Sequence, residues 1–195
     1  MDRPFAVIGR ALRDYWDEAF NLMLCNLIWF LAQLLVIPGP PATAALFFVT
    51  NRVAHGGFAR LPDYWEGFKR HFWDGWKWGA LNIAVILVLG YAVLFYSVSE
   101  FPAGLGFVLM SLNVALLVIW LLTQLFAFPF WLEQEDKRFK VALRNSLVIQ
   151  AQNVRLMLIV VVLVALMVAA TRLLPPLGIL VCVALLTMLG NTVVV

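Results

Sequence analysis

The sequence predicts an all-α, polytopic transmembrane helix bundle of about six membrane helices, with amphipathic interfacial helices between them. Three observations lead there. Of the 195 residues, 64% are hydrophobic and only 13% are charged, with a mean hydropathy of +0.93. A soluble domain runs near 45–50% apolar and about 25% charged. A chain this apolar is no disordered tail, and a soluble domain of its size would have to cover a large water-facing surface that these residues cannot supply. The second observation is the spacing of the charges: 126 residues fall in five charge-free runs, 19–51, 78–99, 101–132, 156–171 and 173–195. Runs of about 18 or more apolar residues read as membrane spans. The third is that the intervening segments are amphipathic and basic. The chain is therefore read as a single integral membrane domain, 1–195.

Residues 4–17 place Phe5, Ile8, Leu12 and Tyr15 at helical spacing, with Trp16 alongside and Arg10, Arg13, Asp14 and Asp17 off that stripe. Two readings stand for this helix, one lying in the membrane interface and one packed on a neighbouring loop. Residues 19–54 form a broken helical hairpin. Its first arm runs from Ala19 to Ile37 and stops at Pro38-Gly39-Pro40-Pro41, where proline lacks the N–H a helix needs. Its second arm resumes at Ala42 and ends at Ala54. Thirteen residues rise about 20 Å, short of the roughly 30 Å hydrocarbon core. Ala42-Thr43-Ala44 resembles a cleavage site in form but is read as a helix start, and the four acids among the first 18 residues exclude a secretory signal.

A second amphipathic segment, 62–72, sets Tyr64, Trp65, Phe68 and Phe72 opposite Glu66, Lys69 and Arg70. Trp65, Trp73, Trp76 and Trp78 make four of the eight tryptophans within fourteen residues, the pattern of an interfacial aromatic belt. Aromatics among basic residues also suit single-stranded nucleic acid, but this cluster abuts an apolar span, so no nucleic-acid partner is expected. Residues 78–128 form a helical hairpin (about 78–97 and 107–128) that turns around 100–106 and closes at Pro129. A third amphipathic linker, 133–153, carries Phe139, Leu143, Leu147 and Gln150 on one stripe, with Lys137, Lys140 and Arg144 elsewhere. The last hairpin, 154–194, has arms 154–171 and 177–194 separated by Pro175-Pro176.

If both arms of the first hairpin cross, the N-terminal segment, residues 52–77 and residues 133–155 share one face. That face holds 13 of the 14 Lys and Arg, leaving Arg172 opposite. The positive-inside rule then puts both termini in the cytoplasm. The final run carries no basic anchor, and a chain continuing past Val195 is one expectation.

No catalytic motif is present: His55 and His71 have no nucleophile pattern beside them, and there is no P-loop, HExxH or GxSxG. The chain is expected not to be an enzyme, and neither cofactor nor metal is expected. Cys25 and Cys182 sit deep in apolar runs as small hydrophobes. The long spans lack ionisable residues, which argues against proton-coupled transport. Glu100 and Arg172 are the nearest charges, read as turn residues or as a pair across the outer turns.

Polar residues inside the spans are amides and aromatics. Asn26 and Gln33 lie seven apart, on one face, with Trp29 and Phe30 between them. Asn113, Trp120 and Gln124 form a similar stripe, while Asn82 and Asn191 sit near helix ends. Aromatics stack on sugar rings and amides bond hydroxyls, so this pattern suits a sugar path. It equally suits polar contacts joining helices, worth about 0.6–2 kcal/mol each. Gly75/Gly79, Ala80/Ala84 and Ala165/Ala169 have the small-xxx-small spacing of close helix packing or self-association.

The stretch Gly39-Pro40-Pro41-Ala42-Thr43-Ala44-Ala45-Leu46-Phe47-Phe48-Val49-Thr50-Asn51-Arg52 resembles the signature of the YesL-like family, small bacterial integral membrane proteins classed as a domain of unknown function. Trp65, Phe68, Phe72 and Trp76 continue the likeness, and residues 37–80 match in detail. The doubled proline and Gly56-Gly57 depart from the family's pattern. The resemblance implies a bacterial cytoplasmic (inner) membrane location, no assigned reaction, association with carbohydrate uptake, and no established site residues. A short helix starting within the bilayer presents its positive dipole end there, and broken helices form substrate sites in transporters. The candidate solute path is therefore Asn26, Gln33, Thr43, Asn113, Trp120 and Gln124. The expected function is non-enzymatic, assisting or performing small-solute, carbohydrate-linked transport. A homo-oligomeric channel and a scaffold for a carbohydrate transporter are the alternatives. The lipid bilayer is the one required partner.

Overall fold

The computed structural model describes residues 4–98 and 104–195, and every element among them is helical. The order is α1 (Pro4–Asp17), α2 (Ala19–Leu34), α3 (Gly39–Ala54), α4 (Leu61–Arg70), α5 (Phe72–Val98), α6 (Leu105–Glu133), α7 (Phe139–Gln152), α8 (Val154–Leu173), a one-turn α9 (Pro175–Leu177), a π-helical turn (Gly178–Cys182) and α10 (Val183–Val194). The expected turn around 100–106 lies partly outside the described residues. Glu100, and with it the pairing to Arg172, lies wholly outside them.

Several boundaries differ from the sequence reading, each for a physical reason. α3 resumes at Gly39 rather than Ala42, with Pro40 and Pro41 in its first turn, where a missing N–H costs nothing because that donor has no helical partner. The tip between α2 and α3 turns on Val36, a β-branched residue held at φ 61°, a left-handed conformation such residues rarely adopt. The tip satisfies its own backbone: Leu35 N–H donates to Ala32 O, Val36 to Gln33 O, Ile37 to Leu35 O and Gly39 to Val36 O. The segment expected as 62–72 splits at His71 into α4 and the start of α5.

α6 passes through Pro129 to Glu133 instead of closing there. Proline at 129 deprives the Leu125 carbonyl of its intrahelical donor. Gly190 of α10 sits directly on that oxygen, and a Cβ at 190 would collide with it. The helix tolerates its proline because a neighbouring backbone covers the freed group.

α7 buries Ala142, Ser146 and Gln150; of the expected stripe Gln150 is thus buried, Phe139 and Leu143 are half-buried against the core, and Leu147 is exposed. Ser146 Oγ donates to Thr123 O at 2.8 Å and Gln150 Nε2 to Thr123 Oγ1 at 3.0 Å. These bonds hold the polar residues of α7 against Thr123 of α6, and Phe139 packs beside them on Trp131.

Among the described residues three helices are long and apolar enough to cross a membrane: α5, α6 and α8. α2 and the segment Ile179–Val194 are apolar but shorter. α3, at 16 residues, rises about 24 Å. The expected count of six thus reduces to three helices of spanning length. The shortfall arises because charge-free length says nothing of where a turn breaks the helix. The bundle is centred on α3, which touches α2, α4, α5, α6 and α10 and buries ten of its residues. The most apolar windows of α5, α6 and α8 are only 0%, 6% and 17% buried by protein. An apolar surface of that extent belongs against lipid.

Candidate binding cleft

The start of α3 is where the helices leave a space. Gly75 and Gly79, one turn apart on α5, lie against Pro40 and Pro41. A Cβ on Gly75 would stand 2.9 Å from Pro40 O, and one on Gly79 would stand 2.7 Å from Pro40 Cβ. Two glycines thus let α5 press its backbone onto the proline turn. Above this contact lies a cleft of about 410 Å³, walled by Gln33 of α2, Thr43 and Phe47 of α3, Trp78 and Asn82 of α5, Gln124 and Phe128 of α6, and Thr187 of α10. Among the described residues no charged side chain lines it.

Most polar groups of the wall are already engaged. Thr43 Oγ1 accepts from Trp29 Nε1 at 2.9 Å and from Gln33 Nε2 at 3.2 Å, and donates to Gly39 O at 3.2 Å. Gln33 Nε2 also donates to Gly39 O at 3.0 Å. Asn82 Oδ1 accepts from Trp120 Nε1 at 3.0 Å, while its Nδ2 donates to Trp78 O at 3.0 Å. Gln124 is different: both its Nε2 and its Oε1 are buried and neither has a hydrogen-bond partner. A buried polar group left unpaired costs about 1–3 kcal/mol.

Of the sequence-selected path residues, the structure brings Gln33, Thr43 and Gln124 to this cleft, with Trp120 behind Asn82. Asn26 and Asn113 are elsewhere. Asn26 Nδ2 donates to Ile179 O at 2.8 Å and its Oδ1 accepts from Ala184 N at 3.0 Å, clamping the π-helical turn where regular helix bonding is interrupted. Asn113 Nδ2 donates to Leu109 O of its own helix at 2.9 Å. Of the aromatic belt, Trp65 and Trp73 are exposed and Trp76 is half-buried, but Trp78 turns inward. It packs on Phe128 and Phe139 at 5.8 and 5.2 Å between ring centroids.

Phe47, Phe128 and Thr187 were not singled out from sequence, since nothing in their spacing separates them from ordinary span residues. Of the neighbouring polar knot, the sequence marks Asn191 as a polar residue near a helix end, but not its partners. Asn191 Nδ2 lies 2.9 Å from Thr50 Oγ1, 3.0 Å from Thr187 O and 3.1 Å from Phe47 O. Asn51 Nδ2 reaches Glu133 Oε1 at 2.7 Å and Asn191 Oδ1 at 3.2 Å. Arg52 pairs with Asp63 at 3.0 Å, tying α3 to α4.

Beside this knot His71, 6% exposed, is wedged between Phe48 and Trp131, and its Nε2 has no hydrogen-bond partner. Burial holds its pKa below the usual histidine range. Arg70 and Lys137 push the same way, and Asp74 and Glu66 oppose them. Lys137 Nζ caps the end of α6, donating to Leu132 O at 2.6 Å and Trp131 O at 3.2 Å. Among the described residues no three His, Cys, Asp or Glu side chains converge as metal ligands.

A family model described as "Protein of unknown function, DUF624" matches residues 22–96. That span covers α2 through most of α5, including Gln33, Thr43, Gly75, Trp78 and Asn82 of the cleft, and stops short of Gln124. No curated protein and no solved structure matches the chain.

Proposed function

We propose that this chain is a non-enzymatic, multi-pass protein of the bacterial cytoplasmic membrane, of the YesL-like kind. In this reading it binds a neutral hydroxylated solute in the cleft and assists or performs that solute's transport. The single observation carrying the proposal is the Gln124 amide, unpaired at both ends on the wall of an uncharged cleft. A group that must both donate and accept is met by a hydroxyl or a vicinal diol. The chain enters the membrane six times, through α2, α3, α5, α6, α8 and residues 175–194. Both termini and the basic linkers lie in the cytoplasm, as the distribution of Lys and Arg favours. The self-bonded tip after α2 suits a turn placed in hydrocarbon. An assisting or carrier role is preferred to a channel because Asn26 and Asn113 are engaged away from the cleft, so the span amides do not form a file.

Calorimetric titration of the protein in lipid nanodiscs with a panel of neutral glycosides tests this. Saturable binding is expected, weakened about tenfold by Gln124→Leu, the scale of one hydrogen bond to a buried group, with a melting temperature that rises or holds because the leucine removes an unpaired buried amide. Absence of binding across the panel, or binding indifferent to Gln124, overturns it.

A further inference from the structure

A second cavity, about 400 Å³, lies between α2, α8 and the π-helical turn. It differs from the cleft in chemistry. Trp29, Phe30, Val164, Met167 and Ile179 are typical of its wall, and its polar side chains are Thr171, which bonds Met167 O within its own helix, and Cys182. The two spaces are neighbours: Val183 and Leu186 of α10 line both. Trp29 stands between them, its ring on the second cavity and its Nε1 bonded to Thr43 of the first. The cleft also borders lipid, since Ile83 and Leu121 contribute to its wall and are about half exposed on the outer flanks of α5 and α6.

We infer that the two spaces together take one amphiphile from the bilayer, a single-chain lipid with a neutral hydroxylated head. The inference rests on the solute reading above and narrows its substrate class. The head lies against Gln124 and the chain runs past α10 into the α2–α8 cavity, with Trp29 as the latch between them. A free sugar would satisfy Gln124 but leave the apolar cavity empty. A plain acyl chain would fill that cavity and leave the amide unpaired. Only a molecule with both parts answers both features, and lateral access past Ile83 and Leu121 is open to such a molecule without its leaving the membrane.

The test compares methyl β-glucoside with n-octyl β-glucoside, below its micelle concentration, on the protein in nanodiscs. An octyl glucoside bearing a diazirine at its chain end maps the chain by mass spectrometry. Expected are octyl binding about tenfold or more tighter than methyl, since several methylenes leave water, and adducts on the 164–171 and 179–186 segments. Gln124→Leu should weaken both ligands. Val164→Trp, which fills the second cavity, should weaken the octyl ligand alone. Equal affinities that both depend on Gln124 overturn the amphiphile and leave the solute reading standing. Adducts spread over the outer faces of α5 and α6 irrespective of Gln124 signify partition into lipid and overturn the amphiphile, and failure of both glycosides to bind overturns both readings.

Discussion

α3 and α5 are both charge-poor helices, yet the protein uses them in opposite ways. α3 buries ten of its 16 residues against other helices, whereas α5 buries only Gly75 and Trp78 of its 27. The difference lies in side-chain size and in polar decoration. α3 is built from Gly39, Pro40, Pro41, Ala42, Ala44 and Ala45 with Thr43 and Thr50 as hydrogen-bonding points. The distal half of α5 carries large Ile, Leu, Val, Tyr and Phe side chains that stay largely exposed although the helix runs beside α6. Within a membrane, close packing follows small residues and shared polar contacts rather than apolarity, because lipid is as good an apolar solvent as a neighbouring helix.

The sharpest way to break that contrast between closely packed and lipid-facing helix is to add one methyl group in each setting, at Gly190 of α10, which packs on α3 and α6, and at Gly90 of α5. Gly190→Ala drives a Cβ into the Leu125 carbonyl, a backbone atom that cannot move aside, and should cost about 3 kcal/mol. Gly90→Ala on α5 meets nothing within 4 Å and should be neutral or gain up to about 1 kcal/mol from helix propensity. Thermal melting in detergent reads both, and similar melting temperatures for the two variants would falsify the contrast.

A smaller effect is expected from the amides. Asn191→Ala strips donors from Thr50 and the Phe47 and Thr187 carbonyls, and removes the acceptor for Asn51, at about 1–3 kcal/mol. Asn113→Ala loses a bond to its own helix and should change stability by no more than about 0.5 kcal/mol. Equal losses in the same melting assay would mean that the knot around Asn191 is not what anchors α3.

The smallest effect sharpens the picture at the edge of the buried region. His71 packs on Phe48 of α3 and Trp131 of α6, and its folded pKa is lowered, burial first and Arg70 and Lys137 after it. The unfolded chain therefore takes up a proton near pH 6.5 that the folded chain resists, so stability falls as pH drops through that value and levels off below the folded pKa. Melting followed from about pH 7.5 downward should show this decline, and His71→Phe should flatten it. An unchanged slope in the variant would assign the decline to other groups.

Much of the element plan was legible in the residues. Pro4–Asp17, the starts at Ala19 and Val154, and the existence of an amphipathic α7 all follow from periodicity and breaks in charge. The depth of α3 did not, because a run of Ala, Leu, Phe and Val reads alike whether lipid or protein covers it. Proline was over-read twice, at Pro41 and at Pro129, since its cost depends on whether the orphaned group finds cover. Gln33, Thr43 and Gln124 were legible as polar residues in apolar runs, and they meet at the cleft. Asn26 and Asn113 carry the same signal and do not, because facing direction in a bundle depends on neighbours that sequence spacing does not encode. Thr187 and Phe128 carried no signal at all.

The knot at Asn191 also bears on how the molecule is made. The Asn191 amide bonds Phe47 O across 144 positions of chain, and the Leu125 carbonyl waits for Gly190 in the same terminal helix. At roughly 5–20 residues synthesised per second, the central helix leaves the ribosome roughly 7–30 s before the residues that lock it. During that interval α3 has α1, α2, α4, α5 and then α6 beside it, but not α10. Assembly of the bundle around α3 therefore has a holding phase, which ends when α10 arrives as its keystone.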